Sequence, residues 1–312
     1  MKLPPMQTIR TNGLTLRAAV EGKGPLVVLV HGWPESWYSW RNQIPALAAA
    51  GYRACAIDVR GYGGSDKPHD VEAYDLLSIT SDVAGVIDAM GESEAILVGH
   101  DWGAPIVWTT SILHRKKVRA VVGMSVPHLG RPPMPLIELW KQIYAGKFFY
   151  QIYFQEPGVA EAELEKDVRT ALRKIYFSAS GDGLAGSTRA FEAKGPESKF
   201  LDGLANPEKL PPWITEEDLD YYAGEMSRSG FRGPLNRYRT SVQDFERLPQ
   251  LGEEKITQPA LFIAGSQDPV LRFVPGANMM DAMDFWYTDL RGKVLVEGAG
   301  HWVQQERPKE VN

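Results

Sequence analysis

The sequence predicts an α/β protein: a mostly parallel central sheet flanked by helices, with an all-helical domain inserted into it. Three observations carry this prediction. In the first half of the chain, short apolar runs alternate with helical patterns, as strands joined by crossover helices do. One run, Leu26 to Val30, is aliphatic at every position, the pattern of a strand buried on both faces. Between about Pro127 and Gln258 no continuous β-branched run occurs, and strand and helix alternation resumes only beyond it.

Taken in order, Thr8 to Thr11 and Leu14 to Val20 flank Asn12-Gly13, a pair that accepts the positive φ of a tight hairpin turn. The strand Leu26 to Val30 ends at His31-Gly32. Trp37 to Ala50 is helical, with Pro45 expected to kink or divide it. Tyr52 to Asp58 is the next strand and Leu76 to Met90 an amphipathic helix. Ala95 to Gly99 is a further buried strand that runs directly into a helix, Trp102 to His114, and Val118 to Val126 completes the block. In the inserted segment, Leu136 to Tyr153, Glu161 to Ser178 and Thr215 to Ser229 read as helices, with Gly195, Pro196, Pro207, Pro211 and Pro212 marking loops. Ala260 to Ala264 is then a strand, Asn278 to Leu290 a helix and Val294 to Val296 the last strand. The expected division is a core domain of residues 1–127 and 259–312 around a helical cap of residues 128–258.

Composition narrows the function classes. The 312 residues are 44% hydrophobic and 23% charged, which suits a globular chain long enough to build its core without cross-links. The single cysteine, Cys55, can make neither an internal disulfide nor a cysteine-based metal site, pointing to a reducing, cytoplasmic setting. A net charge of -5 argues against phosphate-backbone binding, which needs clustered Lys and Arg. The short run Arg115-Lys116-Lys117 reads as the solvated end of a helix. Met1 to Arg10 has no apolar stretch of the signal-peptide kind, and no segment approaches the roughly 18 apolar residues of a membrane span. The six histidines show no metal-ligand spacing, so no metal or other cofactor is expected. The expected partner is a small molecule, not nucleic acid or membrane. These patterns leave the oligomeric state open, a homodimer being one expectation.

The most informative motif is Gly99-His100-Asp101-Trp102-Gly103, at the end of a buried strand and the start of a helix. Small residues two before and two after the centre let the chain turn sharply and lift the middle side chain above the sheet. This is the nucleophile elbow of α/β-hydrolases, with Asp in the usual place of Ser. The exchange changes the chemistry. A carboxylate is already anionic at neutral pH and can displace a leaving group from saturated carbon, forming an ester. Turnover then needs water to attack the Asp101 carbonyl carbon, and therefore a base and an oxyanion hole. Asp268, after the strand Ala260 to Ala264, and His301, after Val294 to Val296, stand in the chain order nucleophile, acid, base of this fold. His301 would take a proton from water, and Asp268 would orient the imidazole and stabilise its cation. Taken singly, each has a plainer reading: Asp101 as a helix N-cap, Asp268-Pro269 as a turn, His301 as a packed histidine. The loop His31-Gly32-Trp33-Pro34 ends the first parallel strand. Its Trp33 N–H can join that of Trp102 as the oxyanion hole, and Pro34 is a candidate cis residue in a tight turn. His31 and His100 read as hydrogen-bonded core groups.

With these motifs in place, the sequence resembles an α/β-hydrolase-fold epoxide hydrolase of the soluble type. The resemblance spans nearly the whole chain. It includes His31 to Ser36, Arg60-Gly61-Tyr62-Gly63-Gly64-Ser65, the elbow, and two stretches of the insertion, Tyr150 to Gly158 and Gly230 to Arg239. In that family each of these two stretches carries a lid tyrosine, and the matching positions are Tyr150 and Tyr238, with Tyr153 the alternative for the first. An independent need for them exists: an opening epoxide leaves an alkoxide, which phenols can protonate without competing as nucleophiles. Most of the seven tyrosines between Tyr144 and Tyr238 would otherwise be packing residues. Trp33, Trp102, Phe154 and Tyr153 are expected to wall an apolar pocket. The resemblance implies hydrolysis of lipophilic epoxides to vicinal diols through an ester on Asp101.

Two rival readings remain at this level. A haloalkane dehalogenase shares the fold and the elbow Asp, but halide leaves without a proton, and paired lid tyrosines would have no task. A ligand-binding homologue without catalysis would usually have lost one of Asp101, Asp268 and His301. The strands of the core begin at once, so no preceding phosphatase domain, carried by some epoxide hydrolases, is expected. Trp302 to Asn312 is short and contains Pro308, so either the chain is trimmed there or one side of the sheet has a short cover.

Overall fold

The computed structural model describes residues 3–185 and 194–312. Their strands form one eight-stranded sheet, in the order β1-β2-β4-β3-β5-β6-β7-β8. β1 (Met6–Thr11) and β2 (Leu14–Gly22) make an antiparallel hairpin in which Asn12 and Gly13 take φ of 48° and 75°. That positive-φ pair is why a two-residue turn closes there. β2 runs antiparallel to β4 (Arg53–Ile57). From β4 onward the sheet is parallel, through β3 (Leu26–Val30), β5 (Ala95–His100), β6 (Val118–Met124), β7 (Ala260–Gly265) and β8 (Leu290–Val296). β3 is buried at all five positions, as its unbroken aliphatic run requires.

Helices α1 (Gln43–Ala49), α2 (Leu76–Ala89) and α3 (Gly103–Leu113) connect the strands. α2 starts where the Asp75 carboxylate accepts the Ser78 N–H, an N-cap that satisfies one free donor of the first turn. α3 follows β5 directly and is buried at nine of its eleven positions, so it shows almost no polar face. The expected helix Trp37 to Ala50 is divided: Trp37–Trp40 is a 3-10 turn, and Pro45 sits in the first turn of α1, where its missing N–H costs nothing.

Between β6 and β7 the chain is helical, as expected, but more finely cut. The stretch read as one helix from Leu136 to Tyr153 is α4 (Leu136–Ile143) and the single turn α5 (Tyr150–Tyr153). Gly146 lies between them at φ 72°, which a helix cannot continue through. Glu161 to Ser178 is α6 (Val159–Leu164) and α7 (Val168–Ser178), separated because Asp167 turns its carboxylate to the Thr170 N–H and starts a new helix. α8 (Gly181–Leu184) follows, and α9 (Glu216–Ser229) begins at a Thr215/Asp218 capping box. α10 (Arg232–Arg239) and α11 (Ser241–Arg247), not foreseen as helices, complete the segment.

These helices are tied to the strand ends by polar contacts. The Tyr38 hydroxyl donates to Asp218 at 2.7 Å, the Trp37 indole to Tyr221 at 2.9 Å, and the Tyr176 hydroxyl to the Pro34 carbonyl at 3.0 Å. Arg17 on β2 bridges Asp58 and Glu225 of α9. Beyond β7, the helix expected over Asn278 to Leu290 is instead a 3-10 segment, Met279–Trp286, and Leu290 already belongs to β8. After β8 come α12 (Val303–Glu306) and α13 (Pro308–Val311). Among the described residues no helix is long and apolar enough to cross a membrane.

Candidate active site

Strand register decides which loops meet. Val30 pairs with Gly99, His100 with Met124, Met124 with Ile263, and Gly265 with Val296. The residues just past β3, β5, β6, β7 and β8 therefore emerge side by side at one end of the sheet, where parallel sheets place their sites. Asp101 takes φ of 51°, an uncommon conformation for a residue with a side chain. The turn is possible because Gly103 lies against β3: a Cβ there would sit 1.9 Å from the Val30 carbonyl oxygen. Gly32 is equally constrained, since its Cβ would lie 2.3 Å from Asp101 Oδ1.

The Asp101 carboxylate is 8% exposed and its oxygens face different partners. Oδ1 accepts the Trp33 backbone N–H at 2.7 Å, while Oδ2 lies 3.3 Å from His301 Nε2. On its other side, His301 Nδ1 is 3.2 and 3.1 Å from the two oxygens of Asp268. Asp268 is buried and accepts the Val270 N–H at 2.9 Å. Burial alone would lower the His301 pKa, but the Asp268 and Asp101 carboxylates outweigh it and hold the imidazole well above its ordinary value. Burial likewise opposes ionisation of Asp268, and the facing His301 overcomes it, so its pKa is lowered.

Of the aromatic residues expected around this carboxylate, Trp33, Trp102, Tyr150, Phe154 and Tyr238 pack into one cluster. Trp33, Phe154 and Tyr238 pack together, with Trp33 5.2 Å from Phe154 and 6.0 Å from Tyr238. Trp102 meets Tyr238 edge to face at 5.1 Å. Tyr150 on α5 and Tyr238 on α10 lie 5.9 Å apart between ring centres. Burial, reinforced by the Asp101 charge, raises the pKa of both phenols, so both keep their protons at neutral pH. Tyr153 is turned elsewhere: its hydroxyl donates to Glu163 at 2.9 Å, and its ring packs against Phe148 and Phe154. The Trp33-Pro34 bond is cis. Among the described residues no cluster of three or more His, Cys, Asp or Glu is placed to hold a metal ion.

Both remaining histidines of these loops are hydrogen-bonded core groups, as expected. His31 Nε2 accepts the Val59 N–H at 3.1 Å while Nδ1 meets the Gly32 carbonyl at 2.8 Å. His100 belongs to a network the sequence did not disclose. Its Nε2 meets the His301 carbonyl at 2.7 Å and its Nδ1 the Glu35 carboxylate at 2.8 Å. Both ring nitrogens thus face oxygen atoms. Glu35 also accepts from Gly32, Gln304 and Gln305. Burial would raise its pKa, but the His100 ring, the Gly32 N–H and the nearby His31 pull it down to about 2. Ser125, at φ 68° past β6, donates to the same His301 carbonyl at 2.9 Å. The one sequence signal for Glu35 was its place directly after Trp33-Pro34; nothing in the sequence pointed to Ser125.

Comparison with known proteins identifies the fold and the family. Residues 25–166 match a family model described as alpha/beta hydrolase fold. The chain is 44% identical to epoxide hydrolase A of Mycobacterium tuberculosis over 313 residues, covering 100% of this chain and 96% of that one. Its structure is similar to epoxide hydrolase A from Mycobacterium thermoresistibile, with a TM-score of 0.92 at 44% identity, over 99% of this chain and 96% of the other. An epoxide hydrolase from an endophytic Streptomyces gives a TM-score of 0.93 at 44% identity, over 100% and 93% of the two chains. Identity of this level over the full length, on one fold and with an aspartate at the elbow, places the chain in the epoxide hydrolase family of the α/β-hydrolase fold.

Proposed function

We propose that the enzyme converts lipophilic epoxides and water to vicinal diols through an ester on Asp101. Residues 1–127 and 259–312 supply the nucleophile and base, and residues 128–258 the acid. The observation that carries this reading is His301 set between two carboxylates, 3.3 Å from Asp101 and 3.1 Å from Asp268. With Oδ1 held by the Trp33 N–H, Oδ2 is the oxygen that attacks one oxirane carbon. The new C–O bond forms as the ring C–O bond breaks, and Tyr150 or Tyr238 protonates the departing oxygen. His301 then takes a proton from water as that water adds to the Asp101 carbonyl carbon, and the oxyanion develops on Oδ1 beside the N–H groups of Trp33 and Trp102. Collapse expels the diol oxygen, which takes the proton held by His301, and the hydrogen left on the added oxygen departs as a proton, so that the Asp101 carboxylate and the tyrosine phenol are both restored. The packed apolar rings of Trp33, Trp102, Phe154 and Tyr238 support a lipophilic substrate, a wall that Tyr153 joins only through its ring contact with Phe154.

His301→Gln tests the covalent route, because it stops the second half of the cycle and spares the first. After incubation with styrene oxide, the peptide containing Asp101 is expected to gain the mass of one substrate molecule, with diol release reduced by about 10³-fold or more. An unmodified peptide in the variant, under conditions where the wild type turns over, would refute the mechanism.

A further inference from the structure

We infer that Gln151 is a positioning residue for Tyr150: fixed by the Trp140 indole, its amide N–H occupies the phenol oxygen and turns the phenol hydrogen toward Asp101. This rests on the acid role proposed for Tyr150. The argument follows from which groups can only donate. Trp140 on α4 is buried and packs against Phe149 at 5.2 Å. Its indole N–H donates to Gln151 Oε1 at 3.0 Å. An indole nitrogen never accepts, so the amide oxygen must face Trp140, and the amide is not free to flip. Gln151 Nε2 is thereby turned to Tyr150 and donates to its hydroxyl oxygen at 3.0 Å.

A phenol has a single hydrogen. With the Tyr150 oxygen accepting from Gln151, that hydrogen must point another way, and the anionic groups acting on this phenol are Asp101 and, more weakly, Asp268. The same N–H stabilises negative charge on the oxygen and so makes the phenol a stronger acid. Tyr153, three residues along the same turn, has the opposite polarity. Its hydroxyl gives its hydrogen to Glu163, leaving none to offer an epoxide. Gln151 and Glu163 thus distinguish the two tyrosines: one neighbour donates and the other accepts.

The test measures ester formation and ester hydrolysis separately, by rapid quench with styrene oxide. Gln151→Met keeps the side-chain bulk and removes the donor. It is expected to slow ester formation about tenfold, the worth of one hydrogen bond to a group developing charge, and to leave ester hydrolysis within about twofold. In a Tyr150→Phe background the same substitution should change ester formation by less than about twofold, because Gln151 acts only through the phenol oxygen. Gln151→Glu, equal in size but acceptor-only at neutral pH, would capture the phenol hydrogen and slow ester formation more than Gln151→Met does. Equal slowing by Gln151→Met in both backgrounds would overturn the inference and assign Gln151 a packing role. So would no slowing where Tyr150→Phe itself is slow. If Tyr150→Phe leaves ester formation unchanged, the acid role of Tyr150 fails first, and the inference falls with it.

Discussion

Each proposed turnover converts the Asp101 carboxylate into a neutral ester, and Asp101→Asn makes the same change of charge permanently. The consequence falls on His301, whose Nε2 lies 3.3 Å from Asp101 Oδ2 and whose other nitrogen faces Asp268. Two unit charges at that distance interact by about 5 kcal/mol at an effective dielectric constant of about 20, and by about 1 kcal/mol in bulk water. At 1.36 kcal/mol per pH unit, loss of the Asp101 charge should lower the His301 midpoint by about 1 to 4 units. The direction is functional. In the free enzyme the two carboxylates hold the imidazole well above its ordinary pKa, where it already carries a proton and cannot take another. Once the ester forms, one anion is gone, and the ring can give up its proton to the phenolate that opened the epoxide and then take one from water. An NMR titration of His301 in wild type and in Asp101→Asn, assigned with His301→Gln, measures the shift directly. Stability supplies a second reading. A raised histidine pKa stabilises the fold below the unfolded value near 6.5, and that contribution fades as pH climbs through the native midpoint. The stability that Asp101→Asn loses through this ion pair should therefore be largest below pH 6.5 and shrink in alkali. Coincident His301 midpoints in the two proteins would refute the reasoning.

Two further perturbations test the scaffold under the site. Glu35, pulled from 4.5 to about 2, contributes about 3 kcal/mol of stability that is present above pH 4.5 and lost as pH falls toward 2. Glu35→Gln should accordingly flatten the dependence of urea unfolding on pH across that window, and curves parallel to wild type would count against an ionised Glu35. Gly103→Ala drives a Cβ to 1.9 Å from the Val30 carbonyl, and should cost about 4 kcal/mol or more in chemical unfolding or abolish soluble expression. Gly195→Ala, with nothing within 4 Å, is the control that should behave like wild type.

How much of this was legible in the sequence depended on how local the cause was. β3 matched its predicted ends because five consecutive aliphatic residues admit one reading, and the hairpin at Asn12-Gly13 followed from two residues that tolerate positive φ. The elbow was legible because its glycines and their neighbours express a constraint of a few ångströms. The helical segment was less so. Its breaks at Gly146 and Asp167 come from single residues inside otherwise helical patterns, and α10 has a mean hydropathy too low to announce a buried helix although six of its eight residues are buried. Its polar residues are held from outside the helix: the buried Arg237 by Asp244 and by the distant Tyr74 carbonyl, and Arg239 by Glu161. Asn278 to Leu290 misled for the opposite reason. Its apolar residues are spaced helically, yet the chain forms a 3-10 segment and then joins the sheet edge at Leu290. Glu35, Ser125 and Gln151 act through partners that only the folded chain assembles.

The placement of the acid and the base on different parts of the chain has a chemical logic. Opening the epoxide needs a proton donor above the nucleophile, whereas hydrolysing the ester needs a proton acceptor beside it. If both were titratable groups of similar pKa in one place, each would neutralise the other. Here the proposed base lies in the loop after β8, 3.1 Å from Asp268, and its proton affinity rises and falls with the charge on Asp101. The phenols lie on α5 and α10, where burial raises their pKa and keeps both protonated until the epoxide opens. The same change at Asp101, from anion to ester, thus ends the need for the donor and creates the acceptor. The order of the two steps follows from the electrostatics of one carboxylate, without requiring the helices to move between them.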